Sequence, residues 1–320
     1  MDSILLLHPK CSAALSVSLV ALTGCCIETF KKYLMSWVDK QPWKSRMIPL
    51  QRNMMHNFGY GKATTTDERV VVDFYCFMIA LCSHHLVMTL ALTPAALLGW
   101  ESLGCVGQVL FYAGALGDLA CTAYDTLQTT LRTIFPLSFT CLGVQLPMKY
   151  FIVVVGLHHT LSMMLTVPMI LYYPSMRALH ILMWSLLFAG GTCNLLGCYK
   201  FTLDTQGSRR DSFRYKAIVL IQFATILFTR VYIWVYYAAA AIANFYERGD
   251  TPFIFLGLAG CLLMTFFNML VVIDASKALV KWIPKQMPKP AHDAKLACHE
   301  RELKAVRTEG LRRLEGLKLA

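Results

Sequence analysis

Two adjacent histidines, His158 and His159, stand in the middle of a long apolar run, and they are the first residues that could do chemistry. Imidazole serves near neutral pH as base, nucleophile or hydrogen-bond donor. Lipid offers it no partner, so it must find one elsewhere. The run 149–173 is expected to be a helix. On a helix turning about 100° per residue, with His158 at zero, His159 falls near 100°, Ser162 near 40° and Thr166 near 80°. The four share one arc roughly 100° wide and are expected to face a polar cavity inside a bundle. The alternative is that they only hydrogen-bond neighbouring helices.

Other polar groups lie in similar runs. Asp118, Asn194, Arg230 and Asn268 are candidate cavity residues beside Ser162 and Thr166, with His158 and His159 as the candidate catalytic pair. Ionisable groups within a membrane are costly and point by default to function. Arg230 needs a counter-ion, and Asp118 is the best-placed carboxylate by depth. Asp73 precedes His84 by eleven residues, three turns away on nearly the same face, so Asp73, His84 and His85 are expected to form a second polar line.

The elements that must position these groups are set by hydropathy. Of 320 residues, 56% are hydrophobic and 15% charged, against roughly 25% charged in soluble domains. A water-soluble globular enzyme is excluded. Apolar runs at about 11–30, 70–98, 103–123, 149–173, 177–199, 214–245 and 252–276 give an all-α, polytopic membrane helix bundle of about seven spans. Pro94 is expected to break the second span near its end, and 124–148 reads as a re-entrant or interfacial stretch. Three regions follow: an N-terminal span with a basic loop (1–67), a membrane domain (68–280) and a basic tail (281–320).

Basic residues orient the bundle. Eight fall in 31–69, two in 124–149, five in 200–216 and eleven from 277 onward, 26 on one side. Only Lys10, Arg177 and Arg248 fall on the other. The positive-inside rule places the basic side in the cytosol, with the C-terminus there and the N-terminus outside. A cleaved signal over 1–25 would put the eight basic residues of 31–69 outside, so 11–30 is kept as a span. The net charge of +11 therefore faces the cytosol and attracts anionic lipid head groups. No basic module interleaved with aromatics speaks for nucleic acid. The tail 291–320 reads as an amphipathic surface helix or a solvated segment. The twelve cysteines include no C-x-x-C and mostly sit in apolar runs, where thiols pack as small hydrophobes. Cys25 and Cys26 lie one turn before Lys31 and Lys32, a position open to S-palmitoylation, with packing as the alternative. A retinal protein would need its lysine in mid-span, whereas Lys277 stands at the end of the last one. No metal site and no resident cofactor are expected.

Three segments carry a resemblance. Gly114 to Leu119, with its Gly-x-x-x-Asp-Leu pattern, Leu157 to Ser162 with the double histidine, and Phe223 to Val231 ending on Arg230 occur in the order and spacing of the TLC domain. Asn268 matches the asparagine of that domain's last helix. The stretch from about 68 to 280 thus resembles translocating-chain-associating proteins, ceramide synthases and the CLN-eight group. The resemblance implies a six-helix barrel, here with an N-terminal span added, around a lipid-accepting cavity in the endoplasmic reticulum or a related membrane. In ceramide synthases the cavity joins an acyl-CoA to a sphingoid amine, using the double histidine with a His-Asp-x-x-Asp helix. Here Leu186, Leu187 and Gly190 stand at those positions, while the family's later asparagine is kept as Asn194. Three functions follow as expectations: binding or regulation of membrane lipids, acyl transfer from acyl-CoA by the double histidine, or a cargo or translocon accessory role.

Overall fold

The structure, a computed structural model, describes residues 9–136, 138 and 144–282. Every regular element among them is helical. In chain order these are α1 (Pro9–Val38), α2 (Lys44–Asn57), α3 (Lys62–Thr66), α4 (Glu68–Leu98), α5 (Cys105–Ile134), α6 (Met148–Phe151), α7 (Thr160–Tyr172), α8 (Arg177–Lys200), α9 (Arg209–Leu227), α10 (Trp234–Glu247) and α11 (Thr251–Trp282). A 3₁₀ turn (Trp100–Ser102) stands between α4 and α5, and of two π-helical segments Ile152–His159 joins α6 to α7 and Phe228–Ile233 joins α9 to α10. Seven helices are thereby long and apolar enough to cross a bilayer. The molecule is a multi-pass helical membrane protein, as hydropathy requires.

Two boundaries depart from expectation. Pro94 does not break α4, which continues to Leu98. Only one turn follows the proline, and the end is closed by Gly99, whose φ of +80° favours a residue without Cβ. Arg177 also donates to the carbonyls of Ala95 and Leu97, at 2.8 and 3.1 Å. The stretch 124–148 is mostly not re-entrant, because α5 runs unbroken to Ile134. Asp125, Gln128, Thr129 and Arg132 lower its hydropathy, yet all four are buried. They recur at spacings of three and four, so they form one inward stripe of a helix rather than a loop.

Lipid tails are as apolar as leucine, so membrane helices associate through close packing and polar contacts. The helix α4 sits centrally, packed on α1, α5 and α8. Gly191 of α8 makes the last contact possible, since a Cβ there would meet Leu86 at 2.8 Å and the Cys82 carbonyl at 3.0 Å. The phenol of Tyr75 then donates to the Cys198 carbonyl at 3.1 Å. At one end of the bundle α2 packs Met47 and Met55 into the same cluster as Ile27, Leu34, Val71 and Tyr75. This end carries Lys44, Arg46 and Lys149, and is called the basic end below. Arg46 there reaches Asp204 at 3.9 Å, and Lys149 donates to the Asn57 carbonyl at 2.7 Å.

Asp73 does not form a polar line with His84 and His85. It pairs with Lys31 at 3.0 Å, and Lys31 also meets Glu28 at 2.8 Å. Tyr124 donates to Glu28 at 2.8 Å, tying α1 to both α4 and α5. One face of α4 meets α1 at the basic end and α5 further along, so residues aligned on that face find different partners. Lys31 is consequently buried, and α1 continues to Val38. Cys26 lies twelve residues before that end, about 18 Å along the helix. Both Cys25 and Cys26 are exposed on the outer surface of the bundle at that depth, not beside a helix end. The amphipathic reading of 291–320 falls outside the described residues.

Candidate functional site

The site begins on α5. Asp118 and Asp125 are seven residues apart, two turns, and so share one face. Asp118 receives His85 of α4, whose Nδ1 lies 3.1 Å from Oδ1. Next to it His84 meets the Gly117 carbonyl at 3.0 Å. Asp125, 1% exposed, receives three groups. Gln128 Nε2 donates at 2.8 Å, Thr129 Oγ1 at 3.3 Å, and His159 Nε2 stands 3.4 Å away. Gln128 in turn accepts from Arg132 at 3.1 Å, which completes a buried polar chain toward the basic end. A buried carboxylate needs hydrogen-bond donors, and Gln128 and Thr129 supply two.

The double histidine lies at the end of the first π segment. The wider winding lets the Thr160 hydroxyl donate to the Val155 carbonyl, five residues back, at 2.8 Å. Single π turns are frequent at functional sites. The Nδ1 of His159 is 2.9 Å from the Thr126 hydroxyl. With Nε2 3.4 Å from the Asp125 carboxylate and Nδ1 hydrogen-bonded to Thr126, His159 has a partner group at each ring nitrogen. His158 differs. It stacks on Phe267 with ring centroids 5.6 Å apart, and no hydrogen bond engages its ring among the described residues. The two imidazoles are 5.4 Å apart. Of the pair, His158 is the one with free nitrogens.

Arg230 lies in the second π segment. It does not pair with Asp118, which is taken by His85. Its Nη1 donates to Asn268 Oδ1 of α11 at 3.3 Å. The expected ion pair failed because depth along a helix does not tell which helices are neighbours.

A cavity of about 450 Å³ is lined by His85, Asp125, His158, His159, Asn194 and Arg230, with Lys200, Gln222 and Asp274. It falls in the usual range of ligand pockets. Asn194, exposed, donates to the Gly190 carbonyl at 2.8 Å. Gln222 bridges to the Cys193 carbonyl at 2.5 Å. Asp118 and Asn268 stand behind this lining rather than on it. Ser162 and Thr166 are not on it either. They border a separate apolar crevice of about 90 Å³ with Leu165, Met169, Trp234 and Ala238. A shared arc does not bring the four to one space, because Ser162 and Thr166 lie one and two turns further along, where the helix borders Trp234 and Ala238 rather than Arg230 and Asn194.

Sequence reasoning missed Asp125, Thr126 and His85 as members of the site. The signal for Asp125 was present in its two-turn spacing from Asp118. Among the described residues no group of three or more His, Cys, Asp or Glu side chains could hold a metal ion. In chemical terms the cavity offers a free imidazole, a second one held by a carboxylate, and a buried guanidinium. Compared with family models, curated proteins and solved structures, the chain matches none.

Proposed function

We propose that this protein binds membrane lipids in the cavity between its spans, in the manner of TLC-domain proteins. The observation that carries this reading is the cavity itself: polar groups of six spans converge on one space among helices long enough to cross a bilayer. Such groups are expensive in lipid unless a partner or ligand satisfies them. Lipid extraction and mass spectrometry of the purified protein test it. A defined lipid should copurify, and His158→Ala should change its amount or identity per folded molecule. Copurification of bulk lipid only, unchanged in His158→Ala and in His159→Ala, would leave the histidines as interhelical contacts.

Acyl transfer is the second reading, favoured by the Asp125–His159 pair beside the unbonded His158. An acyl-CoA would then enter from the basic end, with His158 as base or nucleophile and His159 as its neighbour.

The basic end is proposed to face the cytosol of an endomembrane such as the endoplasmic reticulum, against anionic head groups. Single cysteines placed at Lys62 and Arg312 should then react with an impermeant thiol reagent on the outside of sealed microsomes. Protection of both sites would reverse the orientation.

A further inference from the structure

We infer that the cavity takes a single-chain amphiphile with an anionic head, the head seated on Arg230 and the chain in the adjoining apolar crevice. This rests on the lipid-binding reading and adds the class of lipid.

The head assignment starts from an unmet charge. Arg230 is 9% exposed and lines the cavity, yet no carboxylate lies within 4.0 Å of it among the described residues. A guanidinium carries five N–H donors, and one meets the neutral Asn268 oxygen. The other half of that amide is unfilled too. Asn268 is 2% exposed, and its Nδ2 is buried without a hydrogen-bond partner. An amide flip does not remove the deficit, because it would turn the NH₂ group onto the guanidinium. Donors are thus in surplus at one buried place, and an oxyanion is the group that answers such a surplus.

The cavity's own carboxylates do not fill that role. Asp125 already receives His159, Gln128 and Thr129. Asp274 lies six residues beyond Asn268 on α11, about 9 Å nearer the basic end, where Lys200 also lines the cavity. A carboxylate or phosphate head is therefore drawn to Arg230.

The chain assignment starts four residues on. Trp234 begins the wall of the crevice, and its indole N–H is satisfied by Thr265 at 3.0 Å, so the rest of the ring presents an apolar surface. Ala238 and Ala241, from the alanine run of α10, keep that wall shallow, and Leu165 closes the side opposite. A slot of about 90 Å³ is narrow, so it takes a segment of one chain and not two side by side. Arg230 and Trp234 belong to one continuous helix, so the head site and the chain slot follow each other along it.

The test uses the full chain in nanodiscs of neutral lipid, with palmitate, hexadecyl phosphate, hexadecanol and inorganic phosphate as probes. Palmitate and hexadecyl phosphate should bind about ten- to a hundredfold more tightly than hexadecanol. Arg230→Gln should bring that ratio near one. Asn268→Asp should do the same with the arginine intact, by giving it an internal carboxylate; this variant serves if Arg230→Gln does not fold. Ala241→Trp should weaken all three chain-bearing probes together. Equal binding of alcohol and acid by the wild type overturns the head assignment and leaves lipid binding standing. No binding of any amphiphile overturns both. Binding of inorganic phosphate that depends on Arg230, with no affinity added by a chain, assigns the site to a free anion and overturns the amphiphile.

Discussion

Purified protein supplied with labelled acyl-CoA and a sphingoid base is expected to form no amide above the level of a His158→Ala control. Acylation of an amine releases a proton that some group must take and hold. His158 has the free nitrogens, but it stacks on Phe267 and has no carboxylate beside it. His159 has the carboxylate, but each of its nitrogens already has a partner group, Asp125 or Thr126. Nor does α8 supply an acid: Leu187 packs into an apolar cluster with Leu92 and Phe111, and Leu186 borders the crevice. Leaving an imidazolium buried and unpaired costs several kcal/mol. Each 1.36 kcal/mol is about tenfold in rate, so the deficit amounts to orders of magnitude. Robust amide that depends on His158 would overturn this and identify Asp125, not Asp118, as the acid in place of the missing one. Labelled acyl group retained on the protein without amide would point to transfer onto another acceptor.

The second large effect is on stability. Asp125→Ala should lower the stability of the purified protein by about 1–3 kcal/mol for each buried donor left without its acceptor. The loss is shared by Gln128, Thr129 and His159, and through Gln128 by Arg132. Asp125→Asn keeps one oxygen acceptor and should cost less. Thermal unfolding in one detergent compares the three proteins. Equal melting temperatures for Asp125→Ala and the wild type would remove Asp125 from the structural core of the site.

How much could be read in advance follows from what each signal measures. Seven spans were legible because each run of apolar residues must meet its own backbone requirements in lipid, whatever surrounds it. His158, His159 and Arg230 were legible for the complementary reason: they are costly where they stand. Asp125 was not, because the polar stripe that makes it interesting also lowered the hydropathy that marks a span, and the helix seemed to end at residue 123. Partnerships were less legible still. Asp118 goes to His85 and Arg230 to Asn268, choices fixed by the neighbour relations of α4, α5 and α11. The separation of Ser162 and Thr166 from the histidines depends on which neighbouring side chains enclose each turn of the helix, which spacing along the chain does not reveal.

That winding gives the two functional helices an unusual relation between chain length and aim. A π turn amounts to one residue more than an α-helix needs to cover the same rise. Remove one residue from 152–157 and the helix can close up as plain α, still spanning, with its ends still seated. The flanking segments then keep their facings, and only the side chains inside the former π turn, His158 and His159 among them, are re-aimed. The surplus residue acts as a set-screw: it contributes no side chain of its own to the chemistry, yet it fixes the direction in which His158 and His159 look. The same reasoning holds for 228–233 and Arg230. In these two helices a single-residue change in length, harmless to crossing the bilayer, would re-aim the site.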